Sequence, residues 1–135
     1  IVIINDSTPD VFIKNYLALL EKRCDPNLII IHKTINSGFS ESVNIGMIVA
    51  SDQDVILLNS DTVVQNGWID RLVAVSDLDS RIGTITPMSN NAEICTVPYL
   101  CKSLPINNSG LAISVDRAAA TVNSGILIFN SSLAN

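Results

Sequence analysis

The stretch Val55-Ile56-Leu57-Leu58-Asn59-Ser60-Asp61-Thr62-Val63-Val64 constrains the architecture more than any other part of the chain. Four apolar residues in succession, closing on Asn-Ser-Asp-Thr, predict a buried strand that ends in small polar side chains. A continuous apolar run suits a parallel strand covered on both faces, where alternation is not needed. Ligands of open α/β sheets bind beyond the carboxyl ends of such strands, which is where Asn59, Ser60 and Asp61 would lie. A carboxylate in that position can hold a divalent cation, and the cation can hold a diphosphate. The same three residue types also close strands and cap helices, so a plain turn is the competing reading.

The flanking chain repeats the pattern. Residues 1–4, 28–31, 55–58 and 82–85 are short apolar runs expected as strands, and 126–129 is expected as a last one. Between them lie helical periods. Phe12, Tyr16 and Leu19, with Ile13, Leu17 and Leu20 beside them, recur at helical spacing behind Asp10, a candidate cap. Asp25-Pro26-Asn27 breaks that helix. Gly38 is placed to take a positive φ, and Ser40 to cap a second helix carrying Val43, Met47 and Ala50 on one face. Gly46 inside that helix suggests close approach of another backbone. Asn66-Gly67 predicts a turn, and Trp68, Leu72 and Val75 the apolar face of a third helix. Residues 88–98 read as a polar loop, 100–120 show no firm period, and Asn107-Asn108-Ser109-Gly110 reads as a turn. Strand and helix in alternation predict an α/β fold with a mainly parallel, doubly wound sheet.

Composition narrows the function. A hydrophobic fraction of 47% with only 4% aromatic residues implies a core of Ile, Val and Leu. A formal charge of -5 without a Lys/Arg cluster argues against a nucleic-acid partner. No apolar run approaches the ~20 residues of a membrane span, and no signal peptide opens the chain. A cytoplasmic location follows as the expectation, with peripheral association at the inner face of the membrane left open. Cys24, Cys95 and Cys101 lack metal-site spacing; Cys95 and Cys101 could pair, and free thiols are the expectation. His32, at a strand end, suits a surface or packing role. The chain opens on Ile1-Val2-Ile3-Ile4 without a start methionine and closes just after a strand, so it reads as a fragment of a longer protein.

Four blocks, in order, resemble family-2 glycosyltransferases of the GT-A fold, a Rossmann-like three-layer α/β/α sandwich. They are Ile3-Ile4-Asn5-Asp6-Ser7-Thr8-Pro9-Asp10; Asn36-Ser37-Gly38-Phe39-Ser40 followed by Asn44-Ile45-Gly46; Leu57-Leu58-Asn59-Ser60-Asp61-Thr62 followed by Gly67-Trp68; and Thr86-Pro87-Met88-Ser89-Asn90-Asn91-Ala92. The third resembles the family's D-x-D region with Asn59 in its first acidic position. The resemblance implies one partial domain, with 1–91 as the nucleotide-sugar-binding part and 92–135 as the start of the acceptor-side part. It departs from the family in lacking a strand and Pro-x-Tyr/Phe-Asn loop before Ile1, and in ending before any acidic catalytic-base motif.

What the resemblance implies is an inverting transfer from a nucleoside-diphosphate sugar to a saccharide or other hydroxyl acceptor, in cell-surface polysaccharide or glycoconjugate synthesis. Asp61 would ligate Mn²⁺ or Mg²⁺, with Ser60 beside it and Asn59 bonding the ribose or holding Asp61. Asp6, with Asn5 beside it, would accept from a base N–H such as that of uracil; capping the following helix is its competing role. Asn36 and Asn44 would contact the donor or brace loops. The base is expected beyond the C-terminus, Glu93 being a poor candidate, so the chain alone is expected to transfer no sugar. The alternative is a non-catalytic nucleotide-sugar-binding or interaction module. A sugar nucleotidyltransferase would want a Gly-rich, basic phosphate loop near the start. An NAD-binding domain would want G-x-G-x-x-G where Asn5-Asp6-Ser7-Thr8 stands.

Overall fold

A computed structural model describes residues 1–92, 94–96, 101–103, 110 and 113–118, and the backbone of 127–130. The chain divides into two compact units, 1–57 and 58–135. The sequence expectations on Glu93 and on the turn at residues 107–110 fall largely outside the described residues.

The first unit begins with β1 (Val2–Asn5), α1 (Val11–Glu21), β2 (Ile29–His32) and α2 (Phe39–Ala50). The two strands are parallel, in a register that runs from Val2 opposite Ile29 to Asn5 opposite His32. α1 forms where the helical period predicts it. Its N-cap is Asp10, whose Oδ1 accepts from the N–H of Phe12 at 2.7 Å and of Ile13 at 3.2 Å. Two otherwise orphaned donors of the first turn are satisfied in this way. The helix buries a narrower face than expected. Leu17 is 5% exposed, whereas Phe12 is 86% exposed, and Tyr16 and Leu19 also lie mainly in solvent. Packing has selected the row through Leu17 and left the Phe12 row outside.

α2 lies against β1. Its N-cap is Gly38, at φ +88, and no side chain caps it, so Ser40 lies within the helix instead of at its start. A Cβ at Gly46 would stand 3.8 Å from Ile4 Cγ1, an ordinary contact with a side chain and not with another backbone. Asp25 Oδ1 accepts from Asn27 N–H at 2.9 Å, which tightens the turn that separates α1 from β2.

The second unit contains β3 (Thr62–Val64), α3 (Trp68–Ser76), β4 (Met88–Ser89) and β5 (Leu127–Asn130). The sheet order is β3-β5-β4, antiparallel between β3 and β5 and parallel between β4 and β5. Gly67 takes the left-handed conformation at φ +73, as the Asn66-Gly67 turn predicts, and starts α3. Leu72 carries the buried face of that helix. Arg71 donates to both oxygens of Asp116 at 3.1 and 2.9 Å, joining α3 to the helical residues 113–118, where no firm period was legible.

Three expectations are corrected. Residues 55–58 and 82–85 belong to neither sheet, and among the described residues the strands of the second unit are Thr62–Val64, Met88–Ser89 and Leu127–Asn130. Residues 55–58 are not buried either, being 39 to 56% exposed. An apolar run specifies a preference for burial, but a strand also needs a neighbour offering its free N–H and C=O groups. Among the described residues those runs have no such neighbour in a sheet. The fold is mixed α/β, with the β1–β2 and β4–β5 pairs parallel, as the expected mainly parallel sheet requires, and the β3–β5 pair antiparallel.

Candidate functional site

β1 and β2 end together, and their polar continuations meet. Lys33 N–H donates to the Asn5 carbonyl at 2.9 Å, which carries the parallel ladder one step past Asn5 and His32 and sets Asp6 beside Lys33. The same carbonyl accepts from Ser7 N–H at 2.9 Å. Ser7 holds a left-handed φ of 56°, a conformation disfavoured for a residue with a Cβ and often found at ligand sites.

Asn5 is buried, and both its side-chain oxygen and its nitrogen are hydrogen-bonded. Its Oδ1 accepts from Thr8 N–H at 3.0 Å, and its Nδ2 lies 3.0 Å from His32 Nδ1. An amide nitrogen only donates, so Nδ1 of His32 accepts and the ring proton sits on Nε2. That nitrogen then donates to Glu21 Oε1 at 3.1 Å. His32 thus serves packing and bracing, tying the end of α1 to the end of β1.

Asp6 is held by three donors. Oδ1 accepts from Ser37 N–H at 3.0 Å and Oδ2 from Gly38 N–H at 2.8 Å, while Lys33 Nζ stands 2.6 Å from Oδ1. Asn36 Nδ2 donates to the Asp6 carbonyl at 3.0 Å. Asp6 therefore does not cap α1, the role Asp10 fills; it binds the two amides that lead into α2, at the positive end of that helix dipole. The Lys33 side chain is 9% exposed. It also donates to Ser42 Oγ at 3.2 Å and to Ser37 Oγ, and it faces Glu41 Oε1 at 3.6 Å. The Lys33 hydrogen bond first, then the Ser37 and Gly38 amides, hold the Asp6 carboxyl below the usual aspartate value of 3.8.

Of the candidate residues in the first unit, Asn5, Asp6 and Asn36 are brought together, and Asn44 lies exposed on α2. Asn59, Ser60 and Asp61 are exposed in the second unit, in a turn closed by Thr62 N–H on the Asn59 carbonyl at 3.1 Å, immediately before β3. Among the described residues no three His, Cys, Asp or Glu side chains group to hold a metal ion. The oxygen donors of Asn59, Ser60 and Asp61 suit a hard cation, yet one carboxylate is a sparse set, fitting a cation completed by phosphate. In the loop after β4, Asn90 is buried, Asn91 N–H donates to Ser89 Oγ at 3.1 Å, and Ser103 Oγ donates to Asn91 Oδ1 at 2.6 Å. Cys24, Cys95 and Cys101 are free thiols.

Lys33, Ser37 and Ser42 escaped the sequence reading. A signal for Lys33 existed, since it follows a predicted strand just as Asp6 does. The one-residue offset that pairs them depends on register, which a single strand does not reveal.

The family model for glycosyl transferase family 2 matches residues 1–89. The chain belongs to that family. No match was found among curated proteins or among solved structures. All seven candidate residues lie inside the matched span, as do β1 through β4. Membership implies a Rossmann-like GT-A fold, supports glycosyl transfer as the general activity, and implies a nucleotide-sugar donor and an acceptor as partners. Among the described residues, no helix of this glycosyltransferase-family chain is long and apolar enough to cross a membrane.

Proposed function

We propose that the chain provides the donor side of a glycosyltransferase, binding a nucleoside-diphosphate sugar for transfer to an acceptor hydroxyl with inversion, in polysaccharide or glycoconjugate synthesis. The observation that carries this reading is the Asp6 cluster: an ionised carboxylate at a strand end, fixed by two loop amides and a nearly buried lysine. Such a group is suited to accept a hydrogen bond from a nucleobase N–H. Asn5 holds the preceding turn through Thr8, and Asn36 holds the loop through the Asp6 carbonyl, so both position Asp6. Asn44, on α2, is assigned to the donor side with them.

Departure of the diphosphate from the anomeric carbon leaves negative charge that must be stabilised in place. Asp61, with Ser60 and Asn59, would hold Mn²⁺ or Mg²⁺ together with the diphosphate. A bound cation would supply that charge stabilisation. An acceptor hydroxyl attacks the anomeric carbon from the face opposite the leaving group, which inverts the configuration, and a carboxylate base takes its proton. Calorimetric titration of the chain with UDP and GDP, with and without Mn²⁺, tests the reading. Nucleotide binding strengthened by the cation is expected. Absence of binding by either nucleotide under both conditions would overturn it.

A further inference from the structure

We propose that Lys33 is a positioning residue of the donor site, fixing the Asp6 carboxylate in one orientation that leaves a single acceptor position for the ligand. The inference deepens the donor-binding reading and rests on it.

The argument begins with the lysine's surroundings. Its side chain is 9% exposed, and its ammonium meets Asp6 Oδ1 at 2.6 Å, Ser42 Oγ at 3.2 Å, Ser37 Oγ, and Glu41 Oε1 at 3.6 Å. These oxygens come from the end of β1, the loop before α2 and the first turns of α2. An ammonium has three protons and no acceptor, so Asp6, Ser37 and Ser42 use its full capacity. Lys33 is thereby committed to the protein and is not available as a phosphate ligand.

The carboxylate is counted in the same way. Two oxygens offer about four lone-pair positions. Ser37 N–H and Lys33 occupy Oδ1, and Gly38 N–H occupies one position on Oδ2. One position on Oδ2 remains, matched to one N–H or O–H of a ligand. Without the ammonium, Oδ1 would regain an open position and the group would lose the contact that sets its torsion. The charged groups facing Asp6 are Lys33 and, beyond it, Glu41; His32 faces Asn5 and Glu21 instead.

The test measures UDP and GDP binding between pH 4 and 7 for the wild-type chain, Lys33→Met and Lys33→Arg, with circular dichroism and thermal melting as controls for folding. Lys33→Met is expected to weaken binding roughly tenfold, the weight of one charge-assisted hydrogen bond. Its acid limb should also move to higher pH, because Asp6 returns towards ordinary aspartate behaviour. Lys33→Arg should recover most of both. Should Lys33→Met fail to fold, Ser42→Ala loosens the same ammonium and should shift both readouts in the same direction. Wild-type affinity and an unmoved pH profile in a folded Lys33→Met, or in Ser42→Ala if that substitute is needed, would overturn the proposal while leaving donor binding intact. Failure of the wild type to bind either nucleotide would overturn both.

Discussion

Residues 1–6 and residues 55–61 are built alike, yet the chain uses them differently. Each is four apolar residues followed by Asn and then, directly or after a serine, Asp. In the first, Val2–Asn5 pairs in parallel with Ile29–His32, and Asp6 is clasped by a loop and a lysine. In the second, the apolar run stays outside both sheets, half in solvent, and Asp61 sits in an exposed turn. Composition is shared, so the difference lies in partners. β2 presents a matching ladder and Lys33 a matching charge to the first segment. The first carboxylate is therefore organised by two loop amides and a lysine before any ligand arrives.

Truncations in the buried row of α1, which belongs to the same unit as the first segment, and in the exposed second segment should break or confirm this contrast with the largest effects. Leu17→Ala, in the buried row of α1, should lower unfolding free energy by about 2–4 kcal/mol. Leu57→Ala, in the exposed run, should cost less than about 1 kcal/mol. Urea unfolding of both variants checks this, and equal losses would mean that the second run is buried after all.

The two carboxylates should differ next. Asp61→Asn should abolish most of the mutual strengthening between Mn²⁺ and UDP, a coupling of about 1–3 kcal/mol for linkage of this kind. Asp6→Asn should weaken UDP with or without the metal. Calorimetry on both variants decides; metal coupling retained in Asp61→Asn would make Asp61 a turn residue only.

Caps give a smaller contrast of the same sort. Asp10→Ala should destabilise by about 1 kcal/mol, because two amides lose their acceptor. Ser40→Ala should be nearly neutral, since α2 has no side-chain cap. Thermal melts of the pair test whether cap chemistry was assigned to the right residue.

The pH dependence follows in sign. A carboxyl held below its ordinary value of 3.8 contributes stability that is complete above that value and lost as pH falls through the depressed one. Asp6→Asn should therefore flatten part of the stability loss below about pH 4. Asp79 is depressed in the same direction by Arg81, so Asp79→Asn should flatten a further part, and more weakly in high salt because that pair is exposed.

Local chemistry was legible and pairing was not. Asp10 as a cap, the break at Asp25-Pro26-Asn27, the positive φ of Gly38 and the Asn66-Gly67 turn each depend on a few neighbouring residues, and each is found. The helical faces were legible as periods, but period alone could not say that Leu17 is buried and Phe12 exposed. Residues 55–58 show the larger gap, since apolarity predicts burial and cannot name a strand's neighbour. Asn5, Asp6 and Asn36 are candidates from strand-end position and loop composition, and the fold brings these three together. Lys33 was missed because only the register of β1 against β2 sets it beside Asp6.

Hydrogen–deuterium exchange with and without UDP and Mn²⁺ tests the central claim most directly, because it reads both carboxylate segments in one experiment. Without ligand, the amides of β1 and β2 should be protected and those of residues 55–58 should exchange quickly. Adding UDP with Mn²⁺ should slow exchange around Asn5 to Thr8, Asn36 to Gly38, and Asn59 to Thr62, with the last group responding only when both are present. Exchange unchanged at all three segments would contradict nucleotide binding at Asp6 and cation-dependent binding at Asp61.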